Sequence, residues 1–246
     1  MRGAGCTYND LADTNIDMKV ARTRSRPIPS GRVSKKSAMG FLMLQCICGL
    51  VVLLILSKLN VFVLALGASS LIFVAIYPFM KRITWWPQLF LGFAFSWGAL
   101  MGWGVYFKDI SPASVLLYLG AICWVIGYDT IYAHQDREDD AIAGVKSTAR
   151  LFAEKSKTAI TLLYSAALFL FFCAYLMAIP LAASEFLPAY IGLAAGGVHM
   201  FWQMKNLDIN DGDACLKLFK SNSLFGWILF SGLIISYLLN VFFFFN

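Results

Sequence analysis

Asn9, Asp10, Asp13 and Asp17 gather four oxygen-bearing side chains close to the start of the chain. On a helix, Asn9, Asp13 and Asp17 fall at i, i+4 and i+8, forming one stripe with Asp10 beside it. Like charges stacked in this way repel, and a divalent cation is the economical remedy. Magnesium takes hard oxygen ligands from one or two carboxylates and leaves the remaining positions to phosphate oxygens and water. A second acidic run contains Asp129, Asp136, Asp139 and Asp140. Asp129, Asp136 and Asp140 are spaced i, i+7 and i+11, which again predicts one helical face. Two such stripes facing each other suit a diphosphate bridged by two metal ions.

Basic residues accompany both runs. Lys81 and Arg82 follow Tyr77-Pro78, Lys146 precedes Ser147 and Thr148, and Arg22, Arg26 and Arg137 flank the acidic segments. These six cations are the expected ligands of terminal phosphate oxygens. Asn9, Asp10, Asp13, Asp17, Asp129, Asp136 and Asp140 are the expected metal ligands. Among them Asp13, Asp17, Asp136 and Asp140 are the expected catalytic carboxylates, so Asp13→Asn or Asp136→Asn is expected to abolish turnover. A single acidic cluster at a membrane surface is usually just solvated, but two at helical spacing are harder to explain in that way. No Ser-His-Asp arrangement, P-loop lysine motif or GxGxxG is present, so neither a nucleophilic hydrolase nor a nucleotide is indicated. His134 edges the second run and His199 reads as a contact between helices.

The elements that must position these residues are set by lipid. Of the 246 residues, 59% are hydrophobic and 14% charged, and the mean hydropathy is +0.69. Such a composition does not describe a soluble surface. Uncharged runs occupy Ala38 to Ser57, Leu59 to Met80, Ile83 to Phe107, Ile110 to Tyr128, Thr158 to Ser184, Phe186 to Met204 and Ser221 to Asn246. Each is long enough to cross about 30 Å of hydrocarbon as a helix. Continuous rather than alternating apolar runs predict helices, not a barrel, so the fold class is all-α: a polytopic transmembrane bundle forming a single domain.

Eighteen of the 20 Lys and Arg fall on one set of alternating loops and only Lys58 and Lys108 on the other. The rich side is assigned to the cytoplasm or matrix, and both acidic runs lie there. The net charge of +6 therefore follows topology and gives no reason to expect nucleic acid. Four of the six cysteines lie within the spans without any CxxC pair and read as packing residues. Residues Gly3 to Asp17 read as the last turns of a helix, with Gly3, Ala4 and Gly5 suited to close packing.

These motifs resemble those of the UbiA-type intramembrane prenyltransferases. The segments concerned are Asn9-Asp10-x-x-Asp13-x-x-x-Asp17, Tyr77-Pro78-x-x-Lys81-Arg82 and Asp129-x-x-Tyr132-Ala133-x-x-Asp136-x-x-Asp139-Asp140. The Arg22 to Gly31 turn, Lys146-Ser147-Thr148 and Asp213-Ala214-Cys215 are most similar to members that act on 4-hydroxybenzoate in ubiquinone synthesis. The resemblance implies a central cavity within nine helices, of which this chain lacks the first and most of the second. It also implies Mg2+-dependent transfer of a polyprenyl group from polyprenyl diphosphate to an aromatic acceptor, in a bacterial or mitochondrial inner membrane. Naphthoate, homogentisate, chlorin or haem acceptors remain open, as does an ion-coupled transporter. A transporter, however, would place its carboxylates near mid-span rather than at span ends beside cations.

Overall fold

The computed structural model describes residues 2–18, 23–142, 144–179 and 184–245. The described residues form helices joined by short turns. In chain order these are α1 (Arg2–Asp17), α2 (Lys35–Ser57), α3 (Val61–Ile83), α4 (Pro87–Ser96), α5 (Gly98–Phe107) and α6 (Pro112–Ala133). They are followed by α7 (Arg137–Ile142), α8 (Thr148–Phe152), α9 (Ser156–Ala178), α10 (Leu187–Asn206) and α11 (Gly212–Phe245).

Local sequence accounts for the boundaries. Ser34 and Asn60 cap α2 and α3 through side-chain oxygens that accept the Ser37 and Val63 amides. Ser111 and Ser114 form a reciprocal capping box ahead of α6, with Pro112 in its first turn. Lys81 and Arg82 occupy the last turn of α3, where cations complement the helix dipole.

Six segments are long and apolar enough to cross a membrane: Lys35–Ser57, Val61–Ile83, Pro87–Phe107, Pro112–Asp136, Thr148–Ala178 and Gly212–Phe242. The expected span from Phe186 to Met204 is helical as α10 but is not among them. Its His199 and Gln203 are buried against α11 rather than facing lipid, and Gln203 donates to the Leu218 carbonyl (3.1 Å) and Ser221 Oγ (2.8 Å). α10 nonetheless runs the height of the bundle: Tyr190 near its start bonds the Ile179 carbonyl, while Asn210 beyond its end meets Arg137. The span expected from Ile83 to Phe107 is divided at Trp97, whose indole N–H reaches back to the Leu66 carbonyl of α3 (2.9 Å).

The core lies between α6, α9, α10 and α11, around Ile131, Ile160, Tyr164, Phe171, Met200 and Phe225. Small residues allow these helices to approach closely. A Cβ on Gly127 of α6 would lie 2.4 Å from the Tyr164 ring of α9, and one on Gly232 of α11 would lie 2.6 Å from the Pro188 carbonyl. The Trp124 indole donates to Asn222 Oδ1 (2.8 Å), tying α6 to α11. At the other edge α1 packs on α2 and α3 through Thr7 to Gln45 (3.1 Å) and Tyr8 to the Ala75 carbonyl (3.2 Å). Gly3 is in close contact with Gln45, as its size suggested, whereas Gly5 has no such neighbour.

Candidate active site

One end of the bundle gathers the chemistry. The end of α1, the last turns of α3, the start of α4, the end of α6, α7 and the loop before α8 surround a cavity of about 180 Å³. Asn9 and Asp17 line it from α1, Asp129 from α6, Asp136 from the 3-10 turn at His134–Asp136, and Asp140 from α7. The second acidic run is thus not one continuous helix. The turn interrupts it, and its three expected carboxylates still share the cavity. Arg26, Lys81 and Lys146 line the same space.

The remaining candidates stand apart from this lining. Asp13 is fully buried, with Lys81 Nζ 2.5 Å from its Oδ2 and Arg82 Nη2 donating to its Oδ1 at 3.3 Å. Arg82 also donates to the Ala12 carbonyl (3.0 Å). Asp10 accepts from Arg26 at 2.9 Å, and the same guanidinium reaches Asp17 at 3.3 Å. Arg137 donates to Asn210 Oδ1 (3.4 Å), toward the turn before α11. Arg22 lies outside the described residues, and the side chain of Asp139 is likewise not described.

Electrostatically, the first acidic segment is a set of clamps on cations. Asp17 closes α1 outside the six spans. Burial pushes its carboxyl above the ordinary range, against the pull of Arg26 and Lys81. Lys146 is fastened to the end of α3: its amide donates to the Lys81 carbonyl (2.9 Å) and its ammonium to the Ile83 carbonyl (2.9 Å).

Four lining residues were not singled out from sequence: the apolar Pro87 and Val145, and the polar Thr23, which follows the first run, and Gln88, the second residue of α4. Gln88 carried a readable signal, since a lone amide in an apolar span is costly unless it has a partner. Among the described residues no group of three or more acidic, histidine or cysteine side chains is gathered closely enough to hold a metal ion. Asn9, Asp17, Asp129, Asp136 and Asp140 nonetheless line one cavity with oxygen donors of the kind magnesium prefers, and Arg26, Lys81 and Lys146 line it beside them.

With this geometry, the comparison with known proteins is decisive for ancestry. The profile of the UbiA prenyltransferase family matches residues 1–244. The chain belongs to the UbiA prenyltransferase family. Within this UbiA background, it is 46% identical over 236 residues to the mitochondrial 4-hydroxybenzoate polyprenyltransferase of Arabidopsis thaliana, covering 96% of this chain and 56% of that one. The protein of the same name from Drosophila melanogaster is 47% identical over 240 residues (97% and 59%), and that from Bos taurus 45% over 236 (96% and 62%). The chain therefore spans little more than half the length of these relatives. The apo structure of a UbiA homolog from Aeropyrum pernix K1 superposes with a TM-score of 0.77 at 27% identity, covering 96% of this chain and 85% of that one. A digeranylgeranylglyceryl phosphate synthase structure shares the fold at 23% identity and a TM-score of 0.65.

Proposed function

We propose that this chain carries the site at which a polyprenyl group passes from polyprenyl diphosphate to 4-hydroxybenzoate, with Mg2+ held by Asn9, Asp17, Asp129, Asp136 and Asp140. The observation behind this reading is that oxygen donors from both acidic segments and three cations line a single cavity. The names of relatives at about 45% identity support the choice of acceptor and a mitochondrial location. The concentration of basic residues on one side supports a site facing the matrix.

Bound magnesium supplies charge neutralisation for the departing diphosphate. Arg26, Lys81 and Lys146 donate to its non-bridging oxygens, and their contribution grows as negative charge develops there. Two of them are held ready: Asp13 fixes the Lys81 ammonium, and Asp10 with Asp17 fixes the Arg26 guanidinium. Little reorganisation then accompanies the reaction. In that reaction the bond from the prenyl C1 to oxygen breaks and its electron pair leaves with diphosphate. The acceptor's ring carbon beside the phenol hydroxyl forms the new bond to C1, and the ring proton passes to a nearby carboxylate. Tyr132 lines the cavity with its ring centroid 4.4 Å from that of Phe219, presenting aromatic surface near the allylic cation.

The test is an incubation of membranes bearing the protein with labelled polyprenyl diphosphate, 4-hydroxybenzoate and MgCl2. A prenylated benzoate that disappears when EDTA is added is the expected result. No product under conditions where the Arabidopsis thaliana relative is active would overturn the proposal.

A further inference from the structure

Lys146, Ser147 and Thr148 form a strap that runs from the loop after α7 into the first turn of α8, and hydrogen bonds tie it to three other helices. The Lys146 amide donates to the Lys81 carbonyl and its ammonium to the Ile83 carbonyl, both in the last turn of α3 (2.9 Å each). Thr148 donates its backbone N–H to Gln88 Oε1 in the first turn of α4 (3.1 Å). The hydroxyls of Thr148 and Thr130 lie 2.6 Å apart, and both residues are fully buried. Thr130 Oγ1 is also 2.6 Å from the Ile126 carbonyl, one turn back along α6. A hydroxyl has one proton and a carbonyl can only accept, so the Thr130 proton goes to Ile126 and the Thr148 hydroxyl donates to Thr130. Four donors of the strap thus meet acceptors on α3, α4 and α6.

We propose that Thr148 is a positioning residue for the diphosphate site: its hydroxyl pins the strap to α6 and so holds Lys146 in place for phosphate oxygens, a role that rests on the function proposed above. Lys146 lines the cavity, whereas Thr148 stands outside the lining and acts through it. A strap of irregular backbone is free to move unless its ends are fixed, and each end here has two bonds. At the Thr148 end one of the two comes from the backbone and survives any substitution that keeps the fold. The other belongs to the side chain. Valine keeps the bulk and the branched Cβ of threonine but has no hydroxyl, and it leaves Thr130 Oγ1 without that donor. Serine keeps the hydroxyl and loses only a methyl group.

The experiment measures binding of radiolabelled inorganic pyrophosphate to the detergent-solubilised protein by equilibrium dialysis at saturating MgCl2. It compares the parent, Thr148→Val, Thr148→Ser, Lys146→Ala and the double variant carrying Lys146→Ala and Thr148→Val. Thr148→Val is expected to raise the Kd by about three- to tenfold, the size of one hydrogen bond, and Thr148→Ser to stay within about twofold of the parent. Lys146→Ala is expected to raise it by about tenfold or more, as the loss of a charged hydrogen bond does. In the Lys146→Ala background the valine substitution is expected to add less than about twofold, because the side chain it positions is gone. A loosened fold would weaken binding equally in both backgrounds. Should Thr148→Val fail to fold, Thr130→Val removes the acceptor of the same contact and carries the same expectations. Parent-like affinity in the folded valine variant or in Lys146→Ala, failure of serine to preserve binding, or a valine loss that persists without Lys146 overturns the inference and leaves the acidic cavity standing as the proposed site. A parent that binds no pyrophosphate with magnesium overturns both.

Discussion

The two acidic segments have similar sequences and different surroundings. In the first, Asp10, Asp13 and Asp17 each sit within ion-pair distance of a cation from elsewhere in the chain: Arg26, Lys81 or Arg82. In the second, Asp129, Asp136 and Asp140 line the cavity, and the neighbouring Arg137 turns away to Asn210. The contrast separates two tasks that one ligand requires. Carboxylates paired with cations hold those cations in place for phosphate oxygens. The carboxylates that line the cavity, Asp17 from the first segment with Asp129, Asp136 and Asp140 from the second, are the proposed metal ligands. Identical residue types thus serve different ends according to the element packed against them.

Substitutions can break or sharpen this contrast. The largest effect is expected for Asp136→Asn, which removes an oxygen charge from the cavity. Turnover should fall by at least about a hundredfold while the protein remains folded, as steady-state rates and circular dichroism would show. Lys81→Ala removes a cation that both lines the cavity and neutralises Asp13. The KM for polyprenyl diphosphate should rise by about 10- to 100-fold, as expected for a charged hydrogen bond, whereas Arg82→Ala should raise it by only about threefold because that side chain is half-exposed and off the cavity. Asp13→Asn should lower thermal stability as well as activity. Its fully buried carboxylate serves two cations, and the loss is expected to be about 1–3 kcal/mol in denaturant unfolding. The smallest effect is expected for Arg137→Ala, with turnover within about twofold of the parent, because its contact is a long one on an exposed turn.

Much of this was legible from spacing and hydropathy. Helical spacing placed Asn9 and Asp17 on one face of α1, whereas Asp129 and Asp140 reach the cavity from two helices separated by a 3-10 turn. The distribution of Lys and Arg correctly brought both segments to one end of the bundle. What the pattern concealed were partnerships between distant residues. Nothing local distinguishes Asp13, which is buried behind Lys81, from Asp17, which reaches the cavity four residues later. Likewise, Arg137 adjoins the second acidic run in sequence yet bonds to the loop before α11. The α10 helix escaped a hydropathy measure of spanning because its buried His199 and Gln203 face neighbouring helices, a tertiary fact. Gln88 was overlooked because the apolar run around it was read only as a span, although a lone buried amide there needs a partner.

A double-mutant cycle between Asp17 and Asp136 tests most directly whether the two segments grip one ligand. Affinity for inorganic pyrophosphate at fixed MgCl2 would be measured by calorimetry for the parent, Asp17→Asn, Asp136→Asn and the double variant. A shared site is expected to give non-additive losses, with a coupling of at least about 1 kcal/mol. Losses that add to within about 0.5 kcal/mol would mean that the two carboxylates act on separate ligands, which contradicts the single site described here.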